Sequence, residues 1–298
     1  MTDIYKECNL CPRNCNVDRS VRTGFCKSGE KLKVARAALH YWEEPCISGE
    51  DGSGTVFFSG CNLNCCFCQN YNISNDCFGK EISIERLGEI FLELQDKGAN
   101  NINLVTAVQY IPSIIKALDN VKHKLNIPVV YNSGGYENVS TLEMLKDYVD
   151  IYLPDIKYFD KELSKRYSRA EDYFERASEA VLNMIDNAGE LKFNNKGIME
   201  RGVIVRHMVL PSYYKDSMKI LNWINDNLPK DKFLISLMSQ YTPFYKACDY
   251  PEINRRLTIY EYNKVVDEAL RLGLDRGYIQ EKSSAKEEYT PPFDLEGV

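Results

Sequence analysis

The residues most able to do chemistry lie between positions 61 and 68, where Cys61-Asn-Leu-Asn-Cys65-Cys66-Phe67-Cys68 follows the apolar run Thr55-Val-Phe-Phe-Ser-Gly60. Cys61, Cys65 and Cys68 are spaced C-x3-C-x2-C on what reads as a loop leaving a strand. Three thiolates on one short loop can hold three irons of a [4Fe–4S] cube and leave the fourth iron without a protein ligand, whereas ferredoxin-type sites supply four cysteines. An iron left open in this way is available for chemistry. Cys66 breaks the spacing, and its side chain is expected to point away from its neighbours. A second set, Cys8-x2-Cys11-x3-Cys15-x10-Cys26, places four cysteines in a short segment with little core of its own, which suggests a metal staple. Either a Zn(Cys)4 site or an auxiliary [4Fe–4S] cluster fits these donors.

The rest of the chain favours metal over disulfide chemistry. Nine of the 11 cysteines fall before residue 70, which concentrates the thiols at one end. The start, Met-Thr-Asp-Ile-Tyr-Lys-Glu, lacks the apolar core of a signal peptide, so a cytoplasmic protein is expected, and disulfides are rare in that compartment. Cys46, Cys77 and Cys248 fit neither cysteine pattern and are expected to pack as small hydrophobes. No apolar stretch approaches the ~20 residues needed to cross a bilayer, so no membrane partner is expected. A net charge of −6, with Lys and Arg scattered, argues against nucleic-acid binding.

The elements that must position these cysteines alternate in type. Residues 1–50 read as an irregular, cysteine-rich lobe. After Gly54 the β-rich runs 55–59, 102–106, 129–132, 151–157, 203–210 and 233–238 are separated by amphipathic stretches at 84–97, 112–118, 141–147, 173–188, 214–227 and 259–272. Strand–helix alternation predicts βαβ units and a parallel sheet. Ser83 is placed to cap the first of these helices, with Gly98 just past its end. Six units are too few for a closed eight-stranded barrel. The predicted division is a lobe over 1–50, the main domain over 51–280 and a tail over 281–298 that drapes over the domain or is disordered. In such folds chemistry gathers at the C-terminal ends of the strands.

The C-x3-C-x2-C spacing with Phe67 before its last cysteine resembles the motif of the radical S-adenosylmethionine (SAM) superfamily. Cys8-Asn-Leu-Cys11-Pro-Arg-Asn-Cys15, Cys68-Gln-Asn70, Leu153-Pro-Asp-Ile-Lys157, Arg206-His-Met-Val-Leu-Pro211 and Met238-Ser-Gln-Tyr241 extend the likeness to the subgroup called pyruvate formate-lyase activating enzyme-like. The resemblance runs from about Cys8 to Gly277. It implies an α/β fold, a partial (β/α)6 TIM-like barrel behind the small cysteine-rich lobe. It also implies a [4Fe–4S] cluster whose open iron binds SAM, an electron donor such as flavodoxin or ferredoxin, and a 5′-deoxyadenosyl radical that abstracts hydrogen from a protein glycine or a small molecule. The alternatives are a peptide- or metabolite-modifying enzyme of the same superfamily, and a non-catalytic Fe–S or Zn redox-sensing module.

Several further positions come from the strand ends. Asp155 and Lys157 alternate with Ile156 and so share one side of a strand end, where the resemblance places Lys157 near the SAM carboxylate. Asn132 and Ser133, ahead of two glycines, could hydrogen-bond ribose or carboxylate. Many activating enzymes carry a Gly-Gly-Glu-Pro type segment that meets the SAM amino group; Thr106-Ala-Val-Gln109 stands in its place, so the Thr106 hydroxyl or a backbone carbonyl is expected there. His207 on the fifth predicted strand is a candidate SAM contact or proton donor. Gln240 at the end of the sixth could meet adenine or substrate.

Overall fold

The computed structural model describes residues 4–280 and 290–298. The strands are β1 (Lys33–His40), β2 (Ser53–Phe58), β3 (Lys80–Glu81), β4 (Ile102–Val105), β5 (Val129–Ser133), β6 (Ile151–Pro154), β7 (Lys192–Phe193), β8 (Met199–Met208), β9 (Leu234–Met238) and β10 (Gly277–Ile279). The helices are α1 (Pro45–Ser48), α2 (Tyr71–Ser74), α3 (Ile84–Asp96), α4 (Ile111–Val121), α5 (Val139–Glu143), α6 (Lys161–Ser168), α7 (Tyr173–Ala188), α8 (Tyr214–Asn227) and α9 (Ile259–Arg271). The sheet runs β10-β9-β8-β6-β5-β4-β2-β1-β3, with β7 paired to β8. From β2 through β9 the neighbours along this path are parallel, and β1 closes one side antiparallel to β2. The chain is thus a mixed α/β fold built on a parallel sheet.

The parallel strands are buried on both faces, which is why their sequences read as near-continuous apolar runs. One face packs Leu104, Tyr131, Tyr152, Val205 and Ile235 against apolar stripes of the helices. On the other face Val130, Ile151, Leu153, Ile204 and Leu234 meet Cys46 and Ile47 of α1. That second face changes character along the strands. After Val130 comes Asn132, after Ile204 comes Arg206, and after Leu234 comes Ser236, so polar groups appear toward the C-terminal ends.

The predicted cap at Ser83 forms, and α9 carries a cap of its own. The Ser83 side chain accepts from the Arg86 N–H at 3.1 Å and starts α3. Thr258 and Glu261 form a reciprocal capping box at the start of α9. None of the described helices is long and apolar enough to cross a membrane.

One expectation needs correction, and the described part of the tail takes one of its two expected courses. Residues 33–40 are not irregular: they form β1 and pair with β2 along most of its length. The strand is hard to see because alanines and Arg36 dilute its pattern, and pairing in the sheet decides its state rather than propensity. Of the expected tail, 281–289 lies outside the described residues, and 290–298 is docked. The Ala37 N–H donates to Glu296 O at 2.8 Å and the Leu295 N–H to Ala35 O at 3.1 Å. Arg36 pairs with Asp294 at 2.7 Å and with Glu296, while the Phe293 ring meets Phe57 edge-on at 5.5 Å.

Ile47 is fully buried where α1 covers the base of the inner face. Ile47→Ala should therefore lower unfolding free energy by about 2–5 kcal/mol, the usual cost of such a truncation. Chemical denaturation of the two proteins measures this, and an unchanged midpoint would show that α1 does not seal that face.

Candidate active site

The cysteine loop starts where β2 ends. Gly60 adopts φ 87°, and a side chain there would run into Ser28 Oγ and the Cys26 carbonyl, so glycine is required for the chain to turn under the N-terminal segment. Each of the three spaced sulfurs has a hydrogen-bonding neighbour. The Leu63 N–H donates to Cys61 Sγ at 3.4 Å, the Ser168 hydroxyl to Cys65 Sγ at 2.9 Å, and Ser74 Oγ lies 3.2 Å from Cys68 Sγ. Burial pushes all three thiols up, Cys68 to about 12, so metal binding would have to displace their protons. Cys66 is held differently. Its N–H donates to Tyr167 O and its carbonyl accepts from the Lys246 N–H.

The three sulfurs face a chamber of about 180 Å³ at the C-terminal ends of the strands, lined also by Thr106, Asn132, Ser133, Glu137, Asp155, Lys157 and Arg206. A second chamber of about 210 Å³ shares Cys65, Cys68, Asp155, Lys157 and Arg206 and is walled by Phe67, Met208, Met238, Gln240 and Tyr241. Phe67 meets Tyr241 edge-to-face at 5.6 Å. A loop of three sulfurs opening onto a polar chamber suits a cube that keeps one iron accessible.

Charge on the floor of the chambers is organised around Asp155. Its carboxylate contacts Lys157 Nζ at 2.5 Å and Arg206 Nε at 2.9 Å. Arg206 also donates to Asn132 Oδ1 at 2.6 Å and lies 3.3 Å from Glu43, and Asn132 donates to Glu43 Oε1 at 3.2 Å. Burial alone would raise the Asp155 carboxyl, but Arg206 and Lys157 outweigh it and hold the group below the usual carboxylate range. Burial likewise works to lower Lys157, and Asp155 and Cys65 raise it further than burial lowers it. Both cations therefore stay charged.

The structure brings together Cys61, Cys65, Cys68, Phe67, Thr106, Asn132, Ser133, Asp155, Lys157 and Gln240 around the two chambers. Thr106 is held at φ 58° with its N–H donating to Asn132 O. His207 lies elsewhere. The pleat of β8 turns Arg206 and Met208 inward and His207 outward, where its ring Nδ1 sits 2.6 Å from Ile156 O. Burial lowers that imidazole to about 4, so it is neutral and its Nδ1–H donates to the carbonyl. The sequence reading assigned no role to Arg206, Glu43 or Glu137. Arg206 was signalled by its period-2 spacing from Ile204 on an inward face; Glu43, arriving from the far end of the sheet, had no local signal.

Cys8, Cys11, Cys15 and Cys26 line one small cavity of about 10 Å³ together with Arg13 and Arg19. Arg19 donates to Cys8 Sγ at 3.9 Å and the Phe25 N–H to Cys15 Sγ at 3.3 Å. Asn62 and Val108 line this cavity and also the chamber beside Cys61. Among the described residues, no group of three or more cysteine, histidine or acidic side chains is gathered around one metal-ion position.

The model of the Radical SAM superfamily matches residues 55–224. An uncharacterized protein of Methanocaldococcus jannaschii is 35% identical over 286 residues, 93% of this chain and 78% of its own length. The pyruvate formate-lyase-activating enzyme of Clostridium pasteurianum is 25% identical over 169 residues, 54% of this chain and 65% of that protein. Among solved structures, methylornithine synthase is similar with a TM-score of 0.52 at 15% identity, over 90% of this chain and 67% of that one. Streptococcus suis SuiB bound to precursor peptide SuiA gives 0.50 at 13% identity, over 74% of this chain and 46% of that one. At these identities the structural likeness is one of fold, and this chain matches less than half the length of SuiB.

Cys61, Cys65 and Cys68 line the chamber and Cys66 does not. Cys65→Ala should lose the iron–sulfur absorbance of anaerobically reconstituted protein, while Cys66→Ala should keep it. Loss of the spectrum in Cys66→Ala alone would overturn the assignment. Lys157→Ala should weaken SAM binding by about 1.5–3 kcal/mol, the worth of a charged hydrogen bond; equilibrium dialysis reads this, and an unchanged affinity would remove Lys157 from the pocket.

Proposed function

Because the chain belongs to the radical SAM superfamily, we propose that it reductively cleaves SAM at a [4Fe–4S] cluster and abstracts a hydrogen atom from its substrate. The observation that carries this reading is the set of three hydrogen-bonded sulfurs, Cys61, Cys65 and Cys68, opening on a chamber at the strand ends. Bound there, the cluster would supply one electron to the S–C5′ bond of SAM, giving methionine and a 5′-deoxyadenosyl radical.

The protein's own part is binding, orientation and exclusion of water. Lys157, already charged, would donate a charge-assisted hydrogen bond to the SAM carboxylate. Asn132 and Ser133 offer hydrogen bonds to the same ligand, and Phe67, Gln240 and Tyr241 wall the outer chamber where adenine or substrate would lie. In this reading the open parallel sheet serves as a partial (β/α)6 barrel. The sequence likeness to an activating enzyme supports a glycine of a protein partner as the hydrogen donor, with a small flavodoxin or ferredoxin as the electron source in a reducing cytoplasm.

The four N-terminal cysteines form part of the same proposal. The four thiols line one small cavity, and a second metal centre would draw Cys8, Cys11, Cys15 and Cys26 together around itself.

Reconstituted protein with a strong one-electron reductant should convert SAM to 5′-deoxyadenosine, read by chromatography. Intact SAM after prolonged reduction, with the cluster present, would leave only a binding module. A Cys61/Cys65/Cys68 triple-Ala protein should retain a metal: about four irons per chain for a cluster, or about one for zinc. Neither metal, with the segment still folded, would refute the second centre.

A further inference from the structure

We propose that residues 290–298 are a latch that closes the edge of the sheet beside the two chambers, and that undocking them opens a second way to the three sulfurs. Its use in catalysis rests on the radical SAM reading; its geometry does not.

The sheet is open, with β10 at one end and β1 and β3 at the other. β3 meets β1 only at Lys33 and Val34. Beyond them the backbone of β1 is met by the tail, through Ala35 O and the Ala37 N–H. Gly297 sits at φ 74°, where a side chain would strike Ala37 O, so the tail can run this close only with glycine there. At the other end of the segment, Gln69, directly after Cys68, donates to the Thr290 hydroxyl. Between these ends the Phe293 ring packs against a cluster of Ala35, Phe57, Ile73 and Val105. Ile73 and Val105 also line the inner chamber, and Gln69 lines the outer one. One ring of the tail therefore stands directly behind the chamber wall at the edge of the sheet.

What holds the latch is mostly charge. Arg36 pairs with Asp294 and Glu296 and donates to Pro292 O at 3.1 Å. Lys80 donates to Val298 O at 3.0 Å and Arg86 to Gly297 O at 3.3 Å. The Asp294 and Glu296 side chains are 52% and 53% exposed. Ion pairs this open to water contribute little and are screened by salt. The rest is one aromatic contact and the two backbone hydrogen bonds to β1. A segment with so few buried contacts opens locally far more often than the domain unfolds. Docked, it keeps water from the sheet edge, as a site that handles a reactive intermediate requires. Undocked, it uncovers Phe57 and the backbone of β1 beside the inner chamber.

The test uses the full-length protein before cluster assembly and reads the rate of maleimide labelling at each cysteine by mass spectrometry. Asp294→Lys combined with Glu296→Lys turns both partners of Arg36 into like charges and leaves the sheet and the chambers untouched. The proposal predicts that labelling of Cys61, Cys65 and Cys68 accelerates about tenfold or more in this variant, while Cys46 at the base of the sheet keeps its rate. It also predicts that the wild type approaches the variant as salt is raised. Phe293→Ala, which keeps the charges, should accelerate the same three sulfurs. Equal rates at these sulfurs in the wild type and both variants overturn the proposal. An acceleration that includes Cys46 equally also overturns it, since that marks general loosening. The readout needs neither cluster nor SAM. A wild-type protein that fails to bind SAM therefore refutes the radical SAM reading and leaves the latch to be decided by the labelling.

Discussion

Asp155 is the group on which the site depends. It sits at the end of β6 with Arg206 of β8 on one side and Lys157 on the other, and the two strands exchange backbone contacts at this point through the Ile156 N–H and Arg206 O at 2.9 Å. All three side chains are mostly buried. Removing one partner from such a set strands a charge, at a cost of about 3–5 kcal/mol. The pairings therefore constrain where β6 ends relative to β8. They also constrain Lys157, which cannot swing away without leaving Asp155 to one cation. The chamber inherits its shape from this: Asn132 is drawn in by Arg206, and Glu43 by both.

Glu43 shows that the constraint reaches across the sheet. It lies in the connection between β1 and α1, whose apolar residues cover the base of the inner face. One segment thus seals the apolar end and sends a carboxylate upward to the charged end. Glu44 follows it with a buried oxygen that lacks a hydrogen-bond partner, and burial raises both carboxyls by more than Arg206 lowers them. With two acids and Asp155 around a single guanidinium, not all can ionise cheaply, and the network holds together by sharing Arg206.

The sequence made the alternating part of the fold legible because parallel strands buried on two faces leave continuous apolar runs. Helices α7 and α8 begin and end at the predicted residues for the same kind of reason, with strong periodicity over several turns. The cysteine loop was legible because ligand spacing on one loop is a local property. What escaped were elements whose reason is tertiary. β1 exists because β2 needs a neighbour, and residues 290–298 are ordered by Arg36, Phe57 and the edge of β1. His207 was read as an inward candidate, but its facing is set by a pleat already committed to Arg206. Glu137 gave no signal, since an acid four residues past a strand end is ordinary until a turn such as Ser133-Gly134-Gly135 folds it under.

The N-terminal segment also acts on the cysteine loop through contacts that composition could not show. Arg13 stacks on Phe25 and donates to Asn62 O at 2.8 Å and to Ser168 O at 3.1 Å, as well as to Arg169 O. Asn62 follows Cys61, and the Ser168 hydroxyl is the donor to Cys65 Sγ. A single guanidinium therefore ties the segment to the backbone beside two of the three spaced sulfurs. Hydrogen bonds to sulfur and exposure to solvent are among the quantities that set the potential of an iron–sulfur cluster. Two of the three sulfur hydrogen bonds come from outside the motif, from α6 through Ser168 and from α2 through Ser74, and the first thirty residues brace the loop through Arg13 and the Cys26 carbonyl under Gly60. The spacing of the cysteines names the kind of site, and the segments packed around it determine what potential that site would have.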